Sequence, residues 1–226
     1  MSYFFDNLKN NFDFFVRNHI NLSRKNYCEK PKLINILRNI YFFNIFRKCF
    51  SKIEKDEISV LDIGSKNWEY FQSEYSFFNI QYKNLIINGI ELDSNRLNLN
   101  MYNRYEIAKF YTKNIPNAKY ISGDFLKHNQ KYDYIIWILP FITKYPLIRW
   151  GLPLRYFKPE EMLSHAYNIL NKNGELLIIN QGSEEYKIQQ KLNEKLKLPA
   201  QYFGKIDNKF NLFKNERYCS KITKTN

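Results

Sequence analysis

The sequence is poor in the residues that build disulfide scaffolds and zinc sites. It has three cysteines and three histidines in 226 residues, and no two cysteines have CxxC spacing. These residues are scattered along the chain, at Cys28, Cys49, Cys219, His19, His128 and His165. Structural metal sites and small secreted domains need closely spaced ligands or paired thiols. We therefore expect reduced thiols, a cytoplasmic location and no metal site.

Long uncharged apolar runs are also missing. No stretch approaches the roughly 18 apolar residues that a membrane-spanning helix needs. The first residues, MSYFFDNLKNNFDFF, carry Asp6 and Asp13 and lack the basic start and clean apolar middle of a secretory signal. The sequence therefore predicts neither a secretory signal nor a membrane partner.

Glycine is scarce where a nucleotide-binding loop would need it. The apolar run VLDI at 60–63 reaches Gly64, but Ser65, Lys66, Asn67 and Trp68 follow instead of further glycines. A dinucleotide pyrophosphate binds on a G-x-G-x-x-G turn and the helix N-terminus behind it. The absence of that fingerprint argues against a nicotinamide dehydrogenase.

What the chain has in excess is positive charge, +13 at neutral pH. The excess is uneven: +5 in residues 1–57, +1 in residues 58–186 and +7 in residues 187–226. Basic patches are typical of nucleic-acid binding. The chain is rich in Lys, Asn, Ile, Tyr and Phe together, however, which is the composition that an AT-rich coding sequence produces. We favour that explanation, and keep nucleic acid as the alternative partner.

Apolar runs and helical periodicity alternate along most of the chain. Residues 1–57 indicate an N-terminal helical extension, in which Phe4, Phe5, Leu8, Phe12, Phe15 and Val16 recur with helical spacing, followed by Leu33, Ile36, Leu37, Ile40 and Phe43 after Pro31. Five strands are predicted at 58–64, 84–93, 118–125, 132–139 and 175–180, with a turn at 171–174. Helices are predicted around 70–78, at 94–113 with Leu97, Met101, Ile107 and Phe110 inward, at 158–170 and at 183–196, and two closing strands at 201–206 and 217–222.

This alternation predicts an α/β fold. Strand–helix–strand repeats give a doubly wound, mostly parallel sheet with helices on both faces, and the last two strands add an antiparallel C-terminal edge hairpin. We predict two units, an extension at 1–57 and a Rossmann-like domain at 58–226.

Acids end three successive strands. They are Asp62, Glu91 and Asp124, and ligands of open α/β sheets bind beyond these carboxyl ends. A buried carboxylate needs a polar partner. The acids suit an unphosphorylated nucleoside, in which Glu91 accepts from the ribose hydroxyls. Asp124 accepts from an exocyclic amine, with Phe125 against the base.

The segments VLDIGS, GIELD, SGDF, YDYIIWILPF and ILNKNGELLIINQG resemble, in this order and spacing, class I S-adenosylmethionine-dependent methyltransferases. The resemblance spans about residues 58–182. It implies a seven-stranded sheet and S-adenosyl-L-methionine as the methyl donor. Gly64 and Ser65 match the loop under the methionine part, Glu91 the ribose acid and Asp124 the acid near the adenine amine. The cofactor-binding set predicted in this way is Asp62, Gly64, Ser65, Lys66, Glu91, Leu92, Asp124, Phe125 and Ile138.

Two positions depart from the family pattern. Lys66 stands where members commonly have a second glycine; it either reaches the methionine carboxylate or points to solvent. Ile138 stands where enzymes that methylate adenine or glutamine amides carry Asn or Asp, before Leu139, Pro140 and Phe141. Isoleucine accepts no hydrogen bond, so amine methylation by that arrangement is disfavoured.

The acceptor side is predicted from the segment TKYPLIRWGLPLRYFKPEEM at 143–162. Its Tyr145, Arg149 and Arg155 are candidate substrate-binding residues for an anionic or planar molecule, with a purely structural loop as the alternative. No nucleophile is evident, and no catalytic residue is assigned. The function predicted is methyl transfer to a small molecule. The alternatives are an RNA or protein methyltransferase that uses the basic termini, and a non-catalytic protein that binds the donor.

Overall fold

The computed structural model describes residues 33–207 and 213–225. The helix predicted over residues 4–16 and the start signal at Pro31 lie outside these ranges. No helix in the described ranges is both long enough and apolar enough to cross a bilayer.

Seven strands form one sheet in the order β3-β2-β1-β4-β5-β7-β6. The strands are β1 Glu57–Ile63, β2 Asn84–Glu91, β3 Ala118–Ser122, β4 Tyr132–Ile138, β5 Leu170–Gln181, β6 Ala200–Lys205 and β7 Arg217–Thr223. The first five pair in parallel, and β7 is antiparallel to both β5 and β6. The predicted fold class is therefore confirmed. Strand order reverses between β1 and β4, which is where a ligand of such a sheet is expected.

Helices cover both faces of this sheet. The α-helices are α1 Leu33–Cys49, α2 Phe71–Asn79, α3 Arg104–Thr112, α4 Lys144–Arg149, α5 Pro159–Asn168 and α6 Gly182–Lys195, and short 3₁₀ helices lie at Phe125–Lys127 and Leu154–Tyr156. Side chains of α1, α2 and α3 pack with Val60 and Ile136 in one core cluster. Side chains of α5 and α6 pack with Leu61 and Ile135 in the other. Burial on both faces explains why the central strands β1, β4 and β5 contain continuous apolar runs.

Helix α1 uses a different face from the one predicted. Its buried residues are Asn39, Tyr41, Phe42, Ile45, Phe46 and Cys49, whereas Leu33 is exposed. Because Tyr41, Phe42 and Phe46 share a core cluster with the sheet, the aromatic residues rather than the first aliphatic ones fix the helix in place. The division of the chain at residue 57 stays a prediction.

The helix predicted at 94–113 is wrong in its first half. Only Arg104–Thr112 is helical, and Leu97 and Met101 are 58% and 75% exposed. Asn103 accepts a hydrogen bond from the Glu106 amide and Glu106 accepts one from the Asn103 amide, so a capping box begins the helix there.

Two connections also differ from the sequence prediction. The segment 140–158, expected to be irregular, contains α4 and a 3₁₀ turn. The turn expected at 171–174 is instead part of β5, where pairing with β4 shifts register between Tyr132 and Tyr134. Asn173 adopts a left-handed φ of 62° in this bulge.

Gly89 on β2 lies where the sheet packs closely against the loop that follows β1. A Cβ at Gly89 would lie 2.8 Å from the Trp68 ring and 2.9 Å from Ser65 Oγ. We expect Gly89→Ala to lower the free energy of unfolding by about 1 to 3 kcal/mol, because a buried indole has to move. Urea unfolding measures this loss.

The matched control is Gly123→Ala, since no atom beyond the adjacent residues lies within 4 Å of a Cβ at that position. A Gly89→Ala protein as stable as the control would contradict this packing.

Candidate functional site

A cavity of about 1310 Å³ lies at the carboxyl ends of the parallel strands. Its lining includes residues at, or just after, the carboxyl ends of β1, β2, β3, β4 and β5. It brings together every site residue predicted from the sequence: Asp62, Gly64, Ser65, Lys66, Glu91, Leu92, Asp124, Phe125, Ile138, Tyr145, Arg149 and Arg155. The structure thus places these residues around one space, while their individual binding roles stay predictions.

The loop after β1 takes a path that glycine usually takes. Gly64 has φ 68°, Lys66 has φ 55° and Trp68 has φ 55°. Left-handed φ values are uncommon for non-glycine residues and cost free energy. Hydrogen bonds offset this cost: Tyr120 Oη donates to the Lys66 carbonyl, and the Trp68 amide donates to the Ser65 carbonyl at 2.7 Å. Hydrogen bonds therefore hold Lys66 in a left-handed conformation at the predicted second glycine position.

Glu91 ties this loop to the end of β2. Its Oε2 accepts from the Lys66 amide at 2.8 Å, and its Oε1 accepts from the Asp93 amide at 2.9 Å. The buried guanidinium of Arg104 adds a contact at 3.4 Å to Oε1. A carboxylate offers about four acceptor sites, so Glu91 keeps capacity for about one more donor, on Oε2. Acceptance from two ribose hydroxyls at once would require one of these contacts to yield.

Asp124 is oriented by the short helix that follows it. Its Oδ1 accepts from the Leu126 amide at 3.0 Å, which caps the 3₁₀ helix Phe125–Lys127. Asp124 lines the cavity, and its Oδ2 makes no hydrogen bond with the described residues. A capped carboxylate with one free oxygen is suited to accept from an amine.

A pair of buried acids lies beneath the loop that follows β1. Asp62 and Glu74 are almost fully buried and lie beside each other, and Trp68 Nε1 donates to Glu74 Oε2 at 2.9 Å. Burial raises the pKa of Asp62 well above its usual range, and the Glu74 charge adds to this effect. Burial likewise raises the pKa of Glu74 to about 7. Burial therefore favours the form of the pair in which one carboxyl is protonated and can donate to the other.

This proton makes stability depend on pH. The Glu74 pKa is raised from 4.5 to about 7 in the folded state. The folded chain therefore binds more protons than the unfolded chain in that window, and stability falls as pH rises through it. The Glu74→Gln substitution keeps a hydrogen-bond donor towards Asp62 but removes the titrating group. We expect the free energy of unfolding of this variant to fall between pH 5 and pH 8 by about 1 to 3 kcal/mol less than that of the wild type. Urea unfolding at pH 5 and pH 8 measures it.

The exposed Glu194 on α6 provides the control, as Glu194→Gln. Identical pH dependence in the Glu74→Gln and Glu194→Gln proteins would show that the buried pair carries no shared proton.

Trp150 connects the two halves of the cavity. It follows α4, on the β4 side, yet its ring lies 4.5 Å from the Arg104 guanidinium and 5.8 Å from Lys66 Nζ, both on the β1–β2 side. Burial lowers the pKa of Arg104, against the opposing effect of Glu91. Trp150 therefore covers the cation that contacts Glu91. It is half-buried and belongs to neither core cluster.

The chain turns sharply after β4. Leu139 has φ 56° although it precedes Pro140, a position that normally favours extended backbone. Its amide donates to the Ile179 carbonyl on β5 at 2.8 Å. This strained turn brings Ile138 and Phe141 into the cavity lining.

The sequence prediction missed further lining or supporting residues. Four of them are Arg38 on α1, Arg104 at the start of α3, Glu74 on α2 and Phe213 before β7. For Arg104 a signal existed, because the Asn103–Glu106 capping pattern marks the helix start. The other three reach the site only through tertiary packing.

Comparisons with solved structures match this architecture. A methyltransferase from Pyrococcus furiosus is 15% identical, with a TM-score of 0.58, over 95% of this chain and 98% of that one. Magnesium protoporphyrin IX methyltransferase from Synechocystis PCC 6803, determined with bound S-adenosylmethionine, is 10% identical, with a TM-score of 0.56, over 94% of each chain.

A Listeria monocytogenes protein assigned to the class I S-adenosylmethionine-dependent methyltransferases is 10% identical, with a TM-score of 0.57. The alignment covers 84% of this chain, which spans only 60% of the Listeria protein. The chain has the fold of the class I methyltransferases. No protein-family model and no curated protein sequence matches it. In this class I fold, the cavity between β1 and β4 is the expected ligand site.

Proposed function

We propose that the protein transfers a methyl group from S-adenosyl-L-methionine to a small-molecule acceptor in the cytoplasm. The observation that carries the proposal is that Gly64, Glu91 and Asp124 line one cavity at the point where strand order reverses. The fold supports it by similarity to methyltransferases of known structure. Because one fold hosts many chemistries, the residues of the site carry more weight than the fold.

The chemistry of the described residues fits this cofactor. Glu91 Oε2 retains capacity for a ribose hydroxyl, and Asp124 Oδ2 is free to accept from the adenine amine. A Cβ at Gly64 would meet no atom within 4 Å beyond the adjacent residues, so the backbone there is open to close approach by the methionine part. Leu92 and Phe125 supply apolar surface for the base.

The bound donor supplies a methyl group activated by a positively charged sulfur. The chain's part is to align an acceptor with that group and to keep water away. Ile138, Leu139, Pro140 and Phe141 form an apolar wall at the end of β4 for this purpose. None of these four residues can accept a proton, so their contribution to methyl transfer is positioning and the exclusion of water.

An RNA acceptor is the second candidate, favoured by the charge of residues 187–226. In the described part of this region, Lys187, Lys191 and Lys197 are exposed or half-exposed on and just after α6. A phosphate-binding surface would give an RNA affinity that falls steeply with salt. A protein that binds the donor but transfers nothing is the third, motivated by Lys66 and Ile138.

The direct test is calorimetric titration with S-adenosylhomocysteine. We expect wild-type protein to bind it, and Glu91→Gln and Asp124→Asn each to weaken binding about tenfold, the effect of one lost hydrogen bond to a charged group. Asp124→Asn is informative because asparagine keeps the cap on the Leu126 amide.

Glu57→Gln is the control, since Glu57 is exposed at the opposite end of β1. If wild-type protein does not bind S-adenosylhomocysteine, or if all three variants bind it equally well, the proposal fails.

A further inference from the structure

The cations around the cavity divide into two groups. Six basic side chains line it: Arg38, Lys66, Arg104, Arg149, Arg155 and Lys158. Three are neutralised by carboxylates, Lys66 by Glu69 at 3.2 Å, Arg104 by Glu91 at 3.4 Å and Lys158 by Glu161 at 2.8 Å.

The remaining three are all arginines, and none forms an ion pair with a described residue. Arg38 lies over the Phe213 ring at 5.1 Å and Arg155 over the Tyr156 ring at 5.1 Å. Stacking uses the flat face of a guanidinium and leaves its N–H edge free for an anion. The Nε of Arg38 is moreover buried with no hydrogen-bond partner among the described residues.

These arginines belong to the half of the cavity beyond β4. Arg149 and Arg155 lie in the segment that follows β4, and Arg38 lies against Phe213, just before β7. The acids proposed to face the donor are Glu91 at the end of β2 and Asp124 just after β3, on the other side of the strand-order reversal. Negative charge therefore marks the donor half of the cavity and unpaired positive charge marks the other.

Two carboxylates on the arginine side qualify this contrast. Glu185 is held by the Gln181 amide at 2.9 Å, where it caps α6. Glu184 is exposed and makes no ion pair with a described residue. Two acids set against three arginines still leave an excess of positive charge.

We infer that the methyl acceptor is an anionic small molecule whose carboxylate or phosphate group is bound by Arg149 and Arg155, with Arg38 on the same half of the cavity. The inference rests on the proposed function, because it identifies the space beside the donor as the acceptor site. Guanidinium groups recognise both anions through paired N–H bonds, and the donor-side carboxylates repel either anion from the other half.

The test uses full-length protein saturated with S-adenosylhomocysteine and three probes of similar shape. Benzoate carries a carboxylate, phenyl phosphate a phosphate, and benzamide no charge. Ligand-observed NMR titration gives each affinity in the wild type, in Arg149→Gln/Arg155→Gln and in Lys144→Gln. Lys144 is the control because it is exposed on α4 and does not line the cavity.

We expect at least one anion to bind about tenfold more tightly than benzamide, and the double variant to lose about tenfold of that affinity. Its melting temperature and S-adenosylhomocysteine affinity should stay unchanged, as should anion binding by Lys144→Gln. Which anion binds more tightly distinguishes a carboxylate from a phosphate acceptor.

Three results would overturn the inference: neither anion binds, benzamide binds as well as both, or the double variant binds like wild type. An equal loss in Lys144→Gln would also overturn it, by showing a general charge effect. If S-adenosylhomocysteine itself does not bind, the methyltransferase proposal falls and the acceptor assignment falls with it. If it binds but the anions do not, only the acceptor class falls.

Discussion

The site depends on one carboxylate. Glu91 accepts from the Lys66 amide in the loop after β1 and from the Asp93 amide after β2, so the ends of two neighbouring strands are joined at the cavity. Because of this bond, Lys66 can stand in a left-handed conformation that a glycine would adopt more cheaply. The same carboxylate draws in Arg104, and Trp150 covers that arginine from the far side of the cavity. Lysine at this left-handed position is thus held by tertiary contacts.

Charge then organises the cavity around that carboxylate. On the β1–β3 side, the acids are bound by backbone amides or by each other, and the cations are paired. Beyond β4, the arginines have no carboxylate partners among the described residues. A site with carboxylates on one half and free guanidinium groups on the other can hold two ligands of different charge side by side. Transfer between two substrates benefits from this arrangement, because catalysis by alignment fixes both reacting atoms.

The sequence predicted the central strands well because they are buried on both faces, which leaves an unbroken apolar run such as IIWI in β4. It also placed the strand-end acids in one cleft, since parallel strands bring their carboxyl ends to the same edge. The sequence prediction failed at Leu97 and Met101, whose spacing fits a helix although both side chains are exposed. The helix begins after them, at a capping box whose residues are present in the sequence. The sequence could not reveal that Glu74 is buried against Asp62, or that Arg38 joins the cavity, because those contacts link separate elements and leave no local pattern.

A crystal structure with S-adenosylhomocysteine would test the role of Glu91 more directly than any variant. We expect its ribose within hydrogen-bond distance of Glu91 Oε2, its adenine amine at Asp124 Oδ2, and its sulfur facing the space before Arg149 and Arg155. A nucleoside bound elsewhere, or one in this cleft with Glu91 still turned wholly to the Lys66 and Asp93 amides and Arg104, would contradict that role.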